Sequence, residues 1–161
     1  MVVRMEEKGL VGLSRCFRGA LSGYGKPAKL LFVGSPATCL PFAEFLCNSI
    51  KDLPIEPHFM AGADTGRIRK ISLSEGFGYQ LGDAISGARF DIVVLLGGLA
   101  MAKTYVNPRR LRQELLKVSD LNFVLAFFFQ GIMRKPEWVE EFGFGYLIDA
   151  DLSRVVLEGM K

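Results

Sequence analysis

Histidine occurs once and cysteine three times in the 161 residues, and each shortage removes a class of function. Cys16, Cys39 and Cys47 are odd in number and far apart, which argues against a disulfide framework. With His58 as the lone imidazole they supply no zinc cluster. A Ser-His-Asp triad would have to use His58, which lies inside a strand-like run and reads as structural rather than catalytic. No G-x-G-x-x-G follows the first strand, and neither G-x-x-x-x-G-K-[ST] nor G-x-S-x-G occurs, so no motif names a dinucleotide, a P-loop nucleotide, a nucleophile elbow or any other cofactor. No apolar run approaches the ~20 residues of a membrane span. Met1 to Lys8 carries two acids and no apolar core, unlike a signal peptide. A cytoplasmic protein without a membrane partner is expected. Charge of one sign is lacking too: 20 basic residues stand against 17 acidic ones. The net +3 is scattered along the chain, which gives no nucleic-acid footprint.

What is present is apolar. Half the residues are hydrophobic and thirteen are Phe, enough for one α/β domain over 1–161 that buries roughly two thirds of its unfolded surface. Apolar surface left over makes a homo-oligomer one expected partner arrangement.

The organising stretch is Lys29 to Glu44, KLLFVGSPATCLPFAE. Leu30 to Val33 are apolar without alternation, as in a strand covered on both faces, and Gly34 ends it. The helix that follows contains Pro41, which lacks an N–H and clashes with the carbonyl four residues back. With Ser35 as N-cap, Pro41 would fall at the sixth helical position at a cost of about 3 kcal/mol; with Thr38 as N-cap it falls in the first turn. The second arrangement is expected. It leaves Ser35 to Ala37 as a free loop and the N–H groups of Cys39 and Leu40 open to an anion. Phe42, Phe45, Leu46 and Ser49 or Ile50 would form the inner face of a helix that stops before Pro54.

Around this unit, Leu10, Leu13, Phe17 and Leu21 recur at helical spacing and predict an amphipathic helix over about 9–21. The α/β core covers about 29–151. Ile55 to Ala61 is a second strand. Asp64 to Ala88, with five glycines, reads as a loop with one broken helix over Ser74 to Ser86. Phe90 to Leu96 is a central strand closed by Gly97-Gly98. Asn107-Pro108 opens a helix through Leu111, Leu115 and Val118. The ten residues from Gly97 to Val106 are then either a functional loop or one extra helical turn around Leu99 to Lys103. Phe123 to Phe129 is a fourth strand, ending at Gln130-Gly131. Pro136 to Phe142 is a short helix, and Tyr146 to Ala150 a fifth strand. Arg154 to Met160 would add an edge strand or extend the fifth. The alternation predicts a three-layer Rossmann-like or flavodoxin-like domain with a mostly parallel five-stranded sheet of order 2-1-3-4-5.

Phe32-Val33-Gly34-Ser35-Pro36, Thr38-Cys39 and Pro41-Phe42-Ala43-Glu44, together with Leu95-Leu96-Gly97-Gly98-Leu99-Ala100-Met101, resemble a family of archaea, largely methanogens, known only as a domain of unknown function. The likeness runs from about Leu10 to Asp151, with alanine at 37 and 102 where the family pattern carries glycine and proline. It implies a Rossmann-like fold in an archaeal cytoplasm and no activity.

In the predicted order, Gly34 and Gly97-Gly98 line one crevice at the carboxyl ends of neighbouring strands. The expected ligand-binding residues are Gly34, Ser35, Thr38, Cys39, Leu40, Gly97, Gly98 and Gln130, with Lys103 as counter-charge. The leading reading is a binding or sensing domain for a small molecule bearing phosphate or carboxylate. A second is an enzyme in the same crevice, with Cys39 as nucleophile or redox group in the first helical turn. A third is a structural or oligomerising protein. Binding is preferred because no base stands near Cys39 in sequence. Under the functional readings Cys39 reacts with a thiol probe ahead of Cys16 and Cys47, and Gly98→Val blocks binding at little cost in stability. Asp149 and Asp151 read as turn groups before they read as cation ligands.

Overall fold

The apolar runs form the middle of the sheet, as their double-sided patterning requires. β1 (Ala28–Gly34) and β5 (Ile92–Leu96) pair in parallel, from Leu30 with Ile92 to Val33 with Leu95. β2 (Ile55–Ala61) pairs in parallel on the other side of β1. β6 (Val124–Phe129) and β7 (Tyr146–Ala150) continue the parallel set beyond β5. The structure, a computed structural model, describes residues 4–160.

Helices cover both faces. Leu30 and Phe32 of β1 point into one core, with Phe17 and Leu21 of α1 (Gly9–Leu21) and Ala43 and Leu46 of α2 (Pro36–Cys47). Leu31 and Val33 point into the other, with Leu111 and Leu115 of α3 (Pro108–Leu115) and Trp138 of α4 (Pro136–Phe142). Phe17 lies on Phe32 with ring centroids 5.8 Å apart. The result is a three-layer α/β arrangement. Among the described residues no helix is long and apolar enough to cross a membrane.

The sheet has seven strands, in the order β4-β3-β2-β1-β5-β6-β7, and not five. The two additional strands correct the reading of Asp64 to Ala88. β3 (Ile68–Ser74) and β4 (Gly78–Ala84) form an antiparallel hairpin on the outer side of β2. The broken helix expected over Ser74 to Ser86 does not form, and the glycines serve the hairpin instead. Gly76 and Gly78 have φ of +79° and +84° and make the tight turn, where Phe77 N–H donates to Ser74 C=O at 3.0 Å.

Asn107 caps α3 as its side chain predicts, accepting from Arg110 N–H at 3.1 Å. That helix stops at Leu115, short of the expected Val118, whose carbonyl instead accepts Phe90 N–H at 2.8 Å. Phe90 itself makes only an isolated bridge, to Ser119. Arg154 to Met160 form no strand and lie exposed.

Candidate functional site

β1 leads into α2 on one face of the sheet and β5 leads toward α3 on the other, so the chain diverges between two adjacent strands. Ligands of open α/β sheets collect at the carboxyl edge of such a switch point. Here that edge holds Gly34, Ser35 and Thr38 from the first connection and Gly98 from the second.

The start of α2 corrects the sequence expectation. Ser35, not Thr38, is the N-cap, and Pro41 stands inside the helix. The reason lies in packing. Cys39, Ala43, Leu46 and Cys47 are the buried residues of α2, a stripe at spacings of four, three and one that reaches back to Cys39 only if the helix begins before it. Of the expected inner face, Leu46 and Ile50 are buried, while Phe42 and Phe45 are half-buried beside the stripe. Ala37 and Pro41 are exposed, so the carbonyl that Pro41 cannot serve faces water.

Cys39 fills the floor of the crevice. A Cβ on Gly34 would stand 2.6 Å from Cys39 Cβ and 3.2 Å from Leu96 Cβ. A Cβ on Gly98 would overlap Cys39 Sγ and come within 3.0 Å of Thr38 Oγ1. Both glycines are therefore spaces occupied by the thiol. The expectation that Gly98→Val leaves stability unchanged is reversed by this contact. At 4 % exposure Cys39 also loses its expected lead in labelling, since Cys16 is the more accessible thiol and Cys47 is fully enclosed. Burial pushes the Cys47 thiol far up.

The hydrogen-bond donors shift accordingly. Cys39 N–H donates to Ser35 C=O at 2.8 Å, and Leu40 N–H lies within the helical ladder, so neither is free for a ligand. The open first-turn donors are Ala37 and Thr38, because Pro36 has none. Ser35 makes no side-chain cap bond and is half-exposed beside the exposed Thr38. Thr38 Oγ1 lies 3.8 Å from Cys39 Sγ. Ser35 to Thr38 thus presents N–H and O–H groups and the positive end of a twelve-residue helix, with no titratable side chain among them.

The remaining candidates divide. Gly97 turns away from the crevice: a Cβ there would stand 2.9 Å from Phe128 Cβ. Gly97–Ala100 and Ala102–Thr104 are two single 3-10 turns, tied by Thr104 Oγ1 donating to Gly98 C=O and by Val106 N–H donating to Leu99 C=O at 2.9 Å. The connection is therefore closer to the extra-turn alternative than to a free loop. Lys103 is exposed on the second turn. Leu40 packs half-buried on the core. Gln130, at φ +53°, is engaged elsewhere: Nε2 donates to Asp151 and Oε1 accepts Leu152 N–H at 2.7 Å. Asp149 accepts Gly131 N–H at 3.0 Å and Arg134 Nε at 2.7 Å, the work of a turn group. No cluster of three or more His, Cys, Asp or Glu that could hold a metal occurs among the described residues.

Two small cavities lie away from these residues. One of about 130 Å³ sits at the amino edge, among Leu21, Tyr24, Lys26, Leu53 and Ile55. The other, about 70 Å³, lies between Ile68, Ile85, Phe90 and Val118. His58, buried in β2, has Nδ1 3.1 Å from Glu56 C=O and its ring edge-on to Phe90, centroids 5.0 Å apart. Desolvation pushes its pKa down, against the opposing pull of Glu56.

A three-layer α/β domain of mostly parallel strands is shared by proteins of many activities. This chain belongs to the family described as "Uncharacterized protein conserved in archaea (DUF2124)", which it matches over residues 8–153. It is 34% identical over 144 residues to an uncharacterized protein of Methanocaldococcus jannaschii, covering 89% of this chain and 86% of the relative. An uncharacterized protein of Methanothermobacter thermautotrophicus is 28% identical over 131 residues, 80% of this chain and 82% of its own. The crystal structure of a protein of unknown function from Methanothermobacter thermautotrophicus superposes with a TM-score of 0.84 at 26% identity, covering 99% of each chain.

Proposed function

We propose that the protein is a cytoplasmic binding or sensing domain for a small anionic molecule, bearing phosphate or carboxylate, at the carboxyl edge between β1 and β5. The observation that carries this reading is the uncapped start of α2. The N–H groups of Ala37 and Thr38 and the hydroxyls of Ser35 and Thr38 are gathered where the chain diverges, opposite the side-chain-free Gly98. Donors without a neighbouring base suit recognition better than proton transfer. Lys103 supplies an exposed positive charge on the second 3-10 turn. With Cys39 enclosed by Gly34 and Gly98, no observation favours the nucleophile reading over this one. Neither nucleic acid nor a membrane is part of the proposal.

Calorimetric titration with inorganic phosphate, a nucleoside monophosphate and a dicarboxylate tests it, on the wild type and on Thr38→Val. Saturable binding of at least one of the three is expected. The variant should bind about 3- to 10-fold more weakly, the worth of one hydrogen bond. Absence of binding by all three, or equal affinity in the variant, contradicts the proposal.

A further inference from the structure

The carboxyl-terminal segment beyond β7 is apolar and uncovered. Leu152, Val155, Val156, Leu157 and Met160 are all more than half exposed, with Val155 at 80 % and Leu157 at 97 %. The root of the segment is held, since Leu152 N–H donates to Gln130 Oε1 and Asp151 accepts Gln130 Nε2. Leu73 and Phe77, at the tip of the β3–β4 hairpin, are also exposed, Phe77 at 81 %. β4 is an edge strand, pairing with β3 alone, so its outer N–H and C=O groups are unpaired by any strand, although the Glu44 carboxylate of α2 stands at Leu81 N–H.

The two surfaces fit each other in pattern. In extended chain Val155 and Leu157 share a face, and in β4 Tyr79 and Leu81 share one. Tyr79 and Leu81 pack against the core that also holds Ile71, and Leu73 lies at the same parity as Ile71 on β3. A strand added to β4 with Val155 and Leu157 on this side would extend that apolar face and cover the hairpin tip.

The segment cannot reach its own hairpin. β7 and β4 are the two ends of the seven-stranded sheet, six strand spacings or about 29 Å apart. Leu157 is only six residues beyond Asp151, about 20 Å of fully extended chain. The hairpin tip is farther still, because β4 runs parallel to β2, which puts its turn at the amino edge while the tail leaves from the carboxyl edge.

We infer that a second copy of this chain is the occupant. The segment Leu152–Met160 of each protomer adds to the β4 edge of the other, with Val155 and Leu157 against Tyr79, Leu81, Leu73 and Phe77. Reciprocal exchange of two arms closes a two-fold dimer. It removes both exposed edges at β4 together with the apolar tails, which otherwise invite aggregation.

Sedimentation equilibrium of the full chain over about 1–100 μM tests this, comparing the wild type with Leu157→Asp and with Phe77→Asp. Both substitutions fall on exposed side chains, and a thermal melt of each variant establishes folding. The expected result is a wild-type dimer whose dissociation constant rises at least tenfold in either variant. A fragment-free check uses equal amounts of Leu157→Cys and Phe77→Cys chains carrying different tags, in which a mixed disulfide between the two tags is expected. A wild-type monomer throughout the range overturns the inference. So does a dimer indifferent to both substitutions, which would place the contact elsewhere, for instance at the exposed Leu10 and Val11 of α1. Weakening by Leu157→Asp but not by Phe77→Asp overturns the assignment to the hairpin.

Discussion

At the scale of single residues, the crevice is decided by one thiol and two absent side chains. Gly34 and Gly98 were legible as turn residues, but what they make room for was not, because a glycine in sequence does not say which neighbour fills its place. Their spacing to Cys39 makes a specific expectation. Gly98→Ala should lower the unfolding free energy by about 1–3 kcal/mol, the usual cost of overpacking. Adding Cys39→Ala, which removes the sulfur that the new methyl meets, should recover part of that loss. Urea denaturation of the two single variants and the double variant checks the coupling. Simple additivity would mean that the two side chains do not compete for one space.

His58 is the second residue-scale case. Its position inside a strand marked it as structural from the sequence, and its burial gives it a thermodynamic signature. The unfolded imidazole titrates near 6.5, while desolvation holds the folded one lower. The native state therefore binds fewer protons as the pH falls below about 6.5, so the stability tied to neutral His58 is complete above that value. It is lost progressively as the pH drops toward the folded pKa. With no other histidine in the chain, His58→Gln should flatten the fall in urea midpoint between pH 7.5 and 5.5. An equal slope in the variant would assign the fall to carboxylates.

At the scale of elements, the strands buried on both faces, the amphipathic α1 and the Asn107-capped start of α3 were legible. The ends of α2 and the hairpin were not. Pro41 was read by its local cost, about 3 kcal/mol. The burial of Cys39 between two glycines belongs to contacts with residues as distant as Gly98 and Leu96, which no local window contains. Pro41→Ala separates the two starts of α2. With Ser35 as the cap, the substitution restores a hydrogen bond to Ala37 C=O and removes a ring clash, so it should raise stability by about 1–3 kcal/mol. With Thr38 as the cap, proline would stand in the first turn and its loss would be neutral or unfavourable. The hairpin was hidden for a different reason. The five glycines of Asp64 to Ala88 suggest breaks, and the alternation of Ile71 with Leu73 and of Tyr79 with Leu81 is too short to stand out against them, although half-exposed strands carry just this period of two.

At the scale of the whole molecule, adjacency of the first and central strands could be read from their continuous apolar runs, and the paired register of Leu30–Val33 with Ile92–Leu95 realises it. The outer limits of the sheet could not, since an edge hairpin buries little and leaves a faint hydrophobic signal. Of the candidate site, Ser35, Thr38, Cys39, Gly34 and Gly98 come together. Leu40, Gly97 and Gln130 are claimed by the core, by β6 and by the carboxyl-terminal turn. The assembled group is the first turn of α2, its donors beside a buried sulfur. Its most direct test is an amide NMR titration of the wild-type chain with inorganic phosphate, followed to saturation. Expected are the largest shifts at Ser35, Ala37, Thr38 and Gly98, with smaller ones at Lys103 and none around Tyr24 and Ile55 at the amino edge. Shifts confined to the amino edge, or no shifts at Ser35 to Thr38 with phosphate, nucleotide or carboxylate, would contradict an anion site at the start of α2.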